Sequence, residues 1–303
     1  MRMRFTISLP ANYRLQDVQA FHSRDAESVA EEVRPERIRK GMLLDGVAVA
    51  LTLHLSPAAA ECEAAADCPQ RPLPASLQQR IRDAALNMLG LRIDPQAFLD
   101  FARGDAMLGP LALANPGLRV VQSATVFEAL TWAIIGQQIN LPFAIALRRT
   151  FILQAGRQHS SGLWCYPEAA DAAGLSAEDL TGRKFSRAKA ETLLRFAALV
   201  ASGELRLEQA ADNSIEEISK ALLAVKGIGP WTVNYGLLRG YGYADCSLHG
   251  DVAIRAALQR LLGEDSKPDM ARTERILQQY QPHRTMAAAH LWASLNDRPN
   301  ESA

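Results

Sequence analysis

LLAVKGIGPWTVNYGLLRGYGYADCSLHGDVAIR, residues 222–255, decides how this chain is read. Val225-Lys226-Gly227-Ile228-Gly229 joins a helical pattern over 214–225 to a second helix that starts at Pro230. Proline suits that first position because it has no amide hydrogen to leave unpaired. The two glycines permit left-handed or tight backbone and let another chain segment come close. Amides at such a turn, together with the helix N-terminus, make an anion site fit for a phosphate. Gly227, Gly229 and Lys226 are therefore the candidate phosphate grip, within a hairpin over 222–240. A plain turn between two helices is the bland alternative. The apolar residue, Lys, Gly, Ile, Gly, aromatic helix and downstream Asp taken together favour binding.

Trp231 and Tyr235 are four residues apart and share one helix face. Aromatic faces at that spacing ordinarily serve the core, but they can also stack on an extruded base, with cation–π attraction if the base is positively charged. Trp292, on the last apolar helix, and Phe21, near the start, are candidate extra walls. Asp251 precedes an apolar helix, where N-capping is the common use of aspartate. That role is compatible with catalysis, because a carboxylate held beside a sugar can stabilise an oxocarbenium-like transition state or orient water. Asp245 is the rival carboxylate, at a position better suited to a turn.

The rest of the chain sets bounds. Its 303 residues leave room for two domains, and 48% hydrophobic with 22% charged side chains is ordinary for a soluble globular protein. Thirty-three basic and 33 acidic residues cancel, so any nucleic-acid binding must rest on local groups and backbone amides. Cys62, Cys68, Cys165 and Cys246 are too scattered for a disulfide framework or a four-ligand metal site. No apolar run approaches a membrane span and Pro10 interrupts any signal-peptide core, so a cytoplasmic location is expected, with no membrane partner.

Taken in order, residues 1–115 read as a β-containing front. A strand is predicted over 4–9, a short helix over 15–21, and a strand pair over 37–55 with Gly41 and Asp45-Gly46 as turn signals. The Ala-, Glu- and Pro-rich stretch 56–74 reads as a mobile loop, followed by helices over 75–89 and 94–103, with Pro110 and Pro116-Gly117 closing the region. From Ser123 onward the chain reads as almost wholly helical. A core helix runs up to a polar interruption at Gly136-Gln137-Gln138, and Ser176 is a predicted N-cap. Arg183, Lys184, Arg187 and Lys189 gather at a helix start, where they could track a phosphate backbone. The tail after Asp297 is expected to fray.

At the hairpin and Asp251 the chain resembles the helix-hairpin-helix (HhH-GPD) DNA glycosylase superfamily, and within it the bacterial 3-methyladenine DNA glycosylase II group. The resemblance runs over most of the chain and is strongest over 222–255. It implies an α+β fold, mostly helical, in which an N-terminal α/β domain similar to half of a TATA-binding-protein-like fold (1–115) packs on a helical glycosylase domain (116–303). Asp251 falls at the position of the catalytic aspartate. Trp231 falls where lyase-active relatives such as endonuclease III carry a nucleophilic lysine, which implies a monofunctional enzyme using water. Trp231, Tyr235, Trp292 and Phe21 look like the walls of an alkyl-base pocket. Gln138 falls where relatives insert a side chain into the gap left by a flipped nucleotide, a leucine in the group it most resembles. Lys184 is implied to anchor phosphate beside the hairpin. Main-chain carbonyls of Leu223, Val225 and Ile228 fall where the family holds a monovalent cation. No other cofactor is implied, and with no cysteine after Cys246 no iron–sulfur cluster is expected.

The implied function is removal of alkylated purines, of the 3-methyladenine and 7-methylguanine type, from double-stranded DNA by a monomer that flips the base out of the duplex. Two rivals remain. A non-catalytic DNA-binding or damage-sensing module would need the hairpin but not Asp251, Trp231 or Tyr235. A bifunctional oxidised-base glycosylase would need an amine at residue 231.

Overall fold

The computed structural model describes residues 1–70 and 72–295; the tail expected to fray lies outside the described residues. The first part holds β1 (Arg2–Ser8), α1 (Leu15–His22), β2 (Glu31–Arg34), β3 (Arg37–Leu44), β4 (Val47–Leu55), β5 (Ala59–Ala66) and α2 (Ala75–Met88). The strands form one antiparallel sheet in the order β1-β5-β4-β3-β2. Val18 of α1 and Leu77, Ile81 and Met88 of α2 pack on it with Ile38, Leu51 and Leu53 to make one hydrophobic core.

Two expectations for this part are corrected. The stretch 56–74 contains β5, a strand paired on both sides, with Cys62 opposite Phe5 of β1 and Leu53 of β4. Ala60, Cys62, Ala64 and Ala66 point to the core, so the alternation is real, but it is written in alanine, which is depleted in strands and reads as loop. Gly41 marks no turn. It sits within β3, where a side chain would put its Cβ 2.1 Å from the Trp164 carbonyl oxygen, the close backbone approach that a strand glycine often signals. Asp45 and Gly46, both at positive φ, make the β3–β4 turn.

The helical part holds α3 (Pro95–Ala102), α4 (Gly109–Ala114), α5 (Val126–Gly136), α6 (Leu141–Ala155), α7 (Ala169–Ala173), α8 (Ala177–Thr181), α9 (Arg187–Ala201), α10 (Ile215–Ala224), α11 (Pro230–Gly236), a π-helical turn (Leu237–Tyr241), α12 (Val252–Leu262), α13 (Met270–Gln278) and α14 (Arg284–Ser294). Pro110 opens α4 rather than closing a region. The part is not wholly helical: β6 (Arg157–Gln158) pairs with β7 (Trp164–Cys165), and Tyr166 bridges to Met42 of β3. Ser176 caps α8 as predicted, and Asp94 and Ser214 cap α3 and α10.

α5 is the axis. From Phe127 to Ile135 each of its residues is buried, as expected for a helix apolar nearly all round, and α6, α9, α11 and the π-helical turn pack around it. Charge joins the two parts. Lys40 of β3, 1% exposed at its side chain, contacts Glu128 of α5 at 2.5 Å and Glu31 of β2 at 3.3 Å. Arg148 of α6 contacts the same two carboxylates at 2.6 and 3.0 Å.

Candidate active site

The hairpin forms where α10 stops at Val225. The Ile228 amide donates to the Val225 carbonyl at 3.0 Å, Gly227 takes φ +97°, and Gly229 caps α11 with Pro230 next. Gly227 is also pressed against α9, since a Cβ there would lie 2.1 Å from Oγ1 of Thr192. Gln137, at the end of α5, clamps the bend by donating from Nε2 to the Gly227 carbonyl at 3.0 Å and to Oγ1 of Thr232 at 2.8 Å. Gln138 beside it is exposed, in left-handed backbone at φ 58°.

The basic cluster divides. Lys184 and Lys226 are exposed and free to meet solvent. Lys189 turns inward and donates from Nζ to the carbonyls of Ile134, Ile135 and Gln137 at 3.1, 2.7 and 3.0 Å, capping the C-terminus of α5. Burial pushes its ammonium down to about 8. Lys189 is therefore a structural cap and not part of a phosphate track. Arg187 faces Glu178 and Glu191.

A cleft of about 1020 Å³ opens beside the hairpin and brings together residues far apart in sequence: Gln138, Trp231, Tyr235, Asp251 and Trp292 line it. Asp251 caps α12, its Oδ1 accepting from the Ala253 and Ile254 amides at 2.9 and 3.0 Å. The same oxygen accepts from Nε1 of Trp292 at 3.2 Å, and Oδ2 accepts from Nε1 of Trp231 at 3.0 Å. Two indoles and a helix N-terminus thus fix the carboxylate in one orientation at the cleft wall. The Asn234 side chain accepts from the Ser247 amide at 2.9 Å and so ties the loop before Asp251 to α11. Asp245 lies elsewhere, engaged by Nε and Nη2 of Arg284 at 2.6 and 2.8 Å; it seats α14, the helix that carries Trp292.

Tyr235 is nearly buried, its ring centre 5.2 Å from that of Trp231 and 6.4 Å from that of Trp292. Its oxygen accepts from Nε1 of Trp132 at 3.0 Å. Burial raises the phenol, but the guanidinium groups of Arg239 and Arg24 outweigh it and hold Tyr235 below its ordinary value. Phe21 is not among the cleft-lining residues. It stands behind them, stacked under Arg24 and reached by Arg239 at 3.8 and 4.8 Å from its ring centre.

Four residues near the cleft are not among the site residues expected from the sequence: Gln137, which reads there only as part of a polar interruption, Trp132, Arg24 and Arg239. Trp132 is hidden among the apolar residues of α5, and Arg239 is one cation inside an apolar run that the structure turns into a π-helical turn. Such turns are often found at functional sites, but a single sequence carries no periodic mark for one.

Residues 131–283 match the family model of the HhH-GPD superfamily base excision DNA repair proteins. The chain is 32% identical over 205 residues to the DNA-3-methyladenine glycosylase of Bacillus subtilis (strain 168), covering 67% of this chain and 68% of that one. It is 29% identical over 197 residues to DNA-3-methyladenine glycosylase 2 of Escherichia coli (strain K12), covering 64% and 67%. In three dimensions it resembles the 3-methyladenine DNA-glycosylase from Archaeoglobus fulgidus, with a TM-score of 0.76 and 22% identity over 95% of this chain and 97% of that one. That last likeness concerns the fold.

Proposed function

We propose a function from one premise: the chain belongs to the HhH-GPD superfamily of base excision DNA repair proteins. It is a monofunctional DNA glycosylase that hydrolyses the N-glycosidic bond of alkylated purines, of the 3-methyladenine and 7-methylguanine type, in duplex DNA. The observation that carries this reading is the placement of Asp251, held by two indole N–H groups and two helix amides on the wall of a cleft of about 1020 Å³.

Amides of the 227–229 bend, with the exposed Lys226 beside it and the exposed Lys184, hold backbone phosphates. Gln138, exposed at the cleft rim, fills the gap as the nucleotide rotates out of the stack. Trp231, Tyr235 and Trp292 receive the base. Asp251 stabilises the positive charge that grows on the deoxyribose, and water completes hydrolysis. Trp231 has no amine to form a Schiff base, which supports hydrolysis without strand cleavage. The carbonyls of Leu223, Val225 and Ile228 lie on the hairpin. An all-oxygen set of this kind suits a hard cation, and Val225, which accepts one amide hydrogen bond, keeps a second lone pair. A monovalent cation there would stiffen the bend and take no part in the chemistry.

The test is Asp251→Asn. Affinity for alkylated duplex should persist while release of 3-methyladenine falls by about 10²–10³-fold; near-normal release would overturn the assignment. Borohydride trapping should give no covalent DNA adduct with the unaltered protein.

A further inference from the structure

Gln138, which the preceding reading places in the gap left by the flipped nucleotide, sits at φ 58°, a left-handed conformation that a non-glycine residue rarely adopts. Backbone of that kind persists only where its surroundings hold it. Here they do so on both sides. Before Gln138, the Gln137 carbonyl accepts from Nζ of Lys189 at 3.0 Å, and the same ammonium donates to the carbonyls of Ile134 and Ile135 at 3.1 and 2.7 Å. After it, Asn140 caps α6, its side chain accepting from the Phe143 amide at 3.0 Å. The Gln138 side chain itself is exposed at the cleft and makes no hydrogen bond among the described residues. A fixed backbone thus carries a free side chain.

This mount is tied to the bend. Nε2 of Gln137 donates to the Gly227 carbonyl at 3.0 Å and to Oγ1 of Thr232, in the first turn of α11, at 2.8 Å. One helix backs both ends of the link. α9 holds the end of α5 through Lys189, and it holds the bend through Thr192, packed against Gly227, and through Arg195, whose Nη1 donates to the Lys226 carbonyl at 3.3 Å. Phosphate contacts set the register of a protein on DNA, and the group that enters the stack must meet the duplex in that register. A rigid link between the two leaves no loop to be ordered when the nucleotide turns out.

We propose that Gln137 is a positioning residue that locks the phosphate-gripping bend to Gln138, so that the gap-filling side chain is aimed before the nucleotide leaves the stack. The proposal rests on the glycosylase reading and concerns the flip, not the cleavage of the bond. Gln137 acts through Gln138. Its contribution therefore disappears when Gln138 cannot fill the gap, and it shrinks when the lesion has no paired base to leave.

The experiment measures single-turnover release of 7-methylguanine at saturating protein from two duplexes, with the lesion opposite cytosine or opposite an abasic analogue. Gln137→Met keeps the length of the side chain and removes its donors. It should slow release opposite cytosine about tenfold, within the range for two neutral hydrogen bonds, and about twofold at most opposite the abasic analogue. Equal slowing on both duplexes would mean a structural role and overturn the proposal. Gln138→Ala should give the same pattern, and the double variant should be no slower than Gln138→Ala alone. Losses that multiply would show Gln137 acting apart from Gln138, and an unchanged rate in Gln138→Ala would leave nothing for Gln137 to position; either result overturns the proposal. Release by the unaltered protein that does not depend on Gln137 overturns the proposal and leaves the glycosylase reading standing. No release from either duplex overturns that reading itself.

Discussion

The indole of Trp292 donates to Oδ1 of Asp251 at 3.2 Å across 41 residues of sequence. The last helix of the described chain therefore aims the carboxylate at the start of α12, and one ring serves as both cleft wall and hydrogen-bond donor. Trp292→Phe keeps most of the wall and removes the donor. Excision should fall about tenfold to a hundredfold, the range for a hydrogen bond to a charged group, with DNA affinity little changed. Single-turnover rates and a binding isotherm on the same duplex separate the two, and an unaltered rate would refute the role given to the indole.

The two hairpin glycines are not equivalent. Gly227 sits at φ +97° against Thr192, whereas a Cβ on Gly229, at φ −109°, meets nothing within 4 Å. Gly227→Ala should cost about 1–3 kcal/mol of stability through backbone strain and weaken DNA binding by displacing the bend from α9. Gly229→Ala should leave urea stability nearly unchanged. Equal effects from the two substitutions would show that conformation at residue 227 is not what shapes the bend.

The hairpin and the cap at Asp251 are legible in the sequence because each depends on neighbours within a few residues: glycines at a bend, proline at a helix start, an acid before an apolar run. The sheet is legible where β-branched residues alternate in β4, and lost in β5, where alanine and cysteine carry the inward positions. What escapes is the set of contacts made by elements distant in sequence. Nothing near Lys189 says that it reaches the end of α5, and nothing near Trp231 or Trp292 says that their indole hydrogens converge on one carboxylate. Arg239 is the sharpest case, since the three rings it faces are supplied by α1, α11 and α14.

The Lys40 network offers a stability test at the junction of the two parts. Removing one member of a buried ion pair strands the other's charge, and Glu128 already has one oxygen, Oε2, buried without a partner. Lys40→Met should destabilise by about 3–5 kcal/mol in urea unfolding. Adding Glu128→Gln should restore part of that loss, because the stranded charge goes with it. A double variant no more stable than Lys40→Met alone would place the cost in packing and not in charge.

His290, on α14 two residues before Trp292, gives a pH dependence with a definite sign. Its ring is 3% exposed and stacks on Phe98 at 5.2 Å, with Nδ1 buried and unpartnered. Burial, helped by Arg14, pushes it down from 6.5 to about 4. A depressed histidine binds its proton in the unfolded chain first, so its contribution is full above about 6.5 and is lost as pH falls toward about 4. The whole loss is at most about 3 kcal/mol. His290→Phe should flatten the stability profile across that window while keeping the stack on Phe98, and denaturant midpoints measured every half unit would show it. Parallel profiles for the two proteins would exclude His290 as the source. Because α14 also carries Trp292, acid loosening of this helix should release the donor from Asp251, and excision should decline over the same interval.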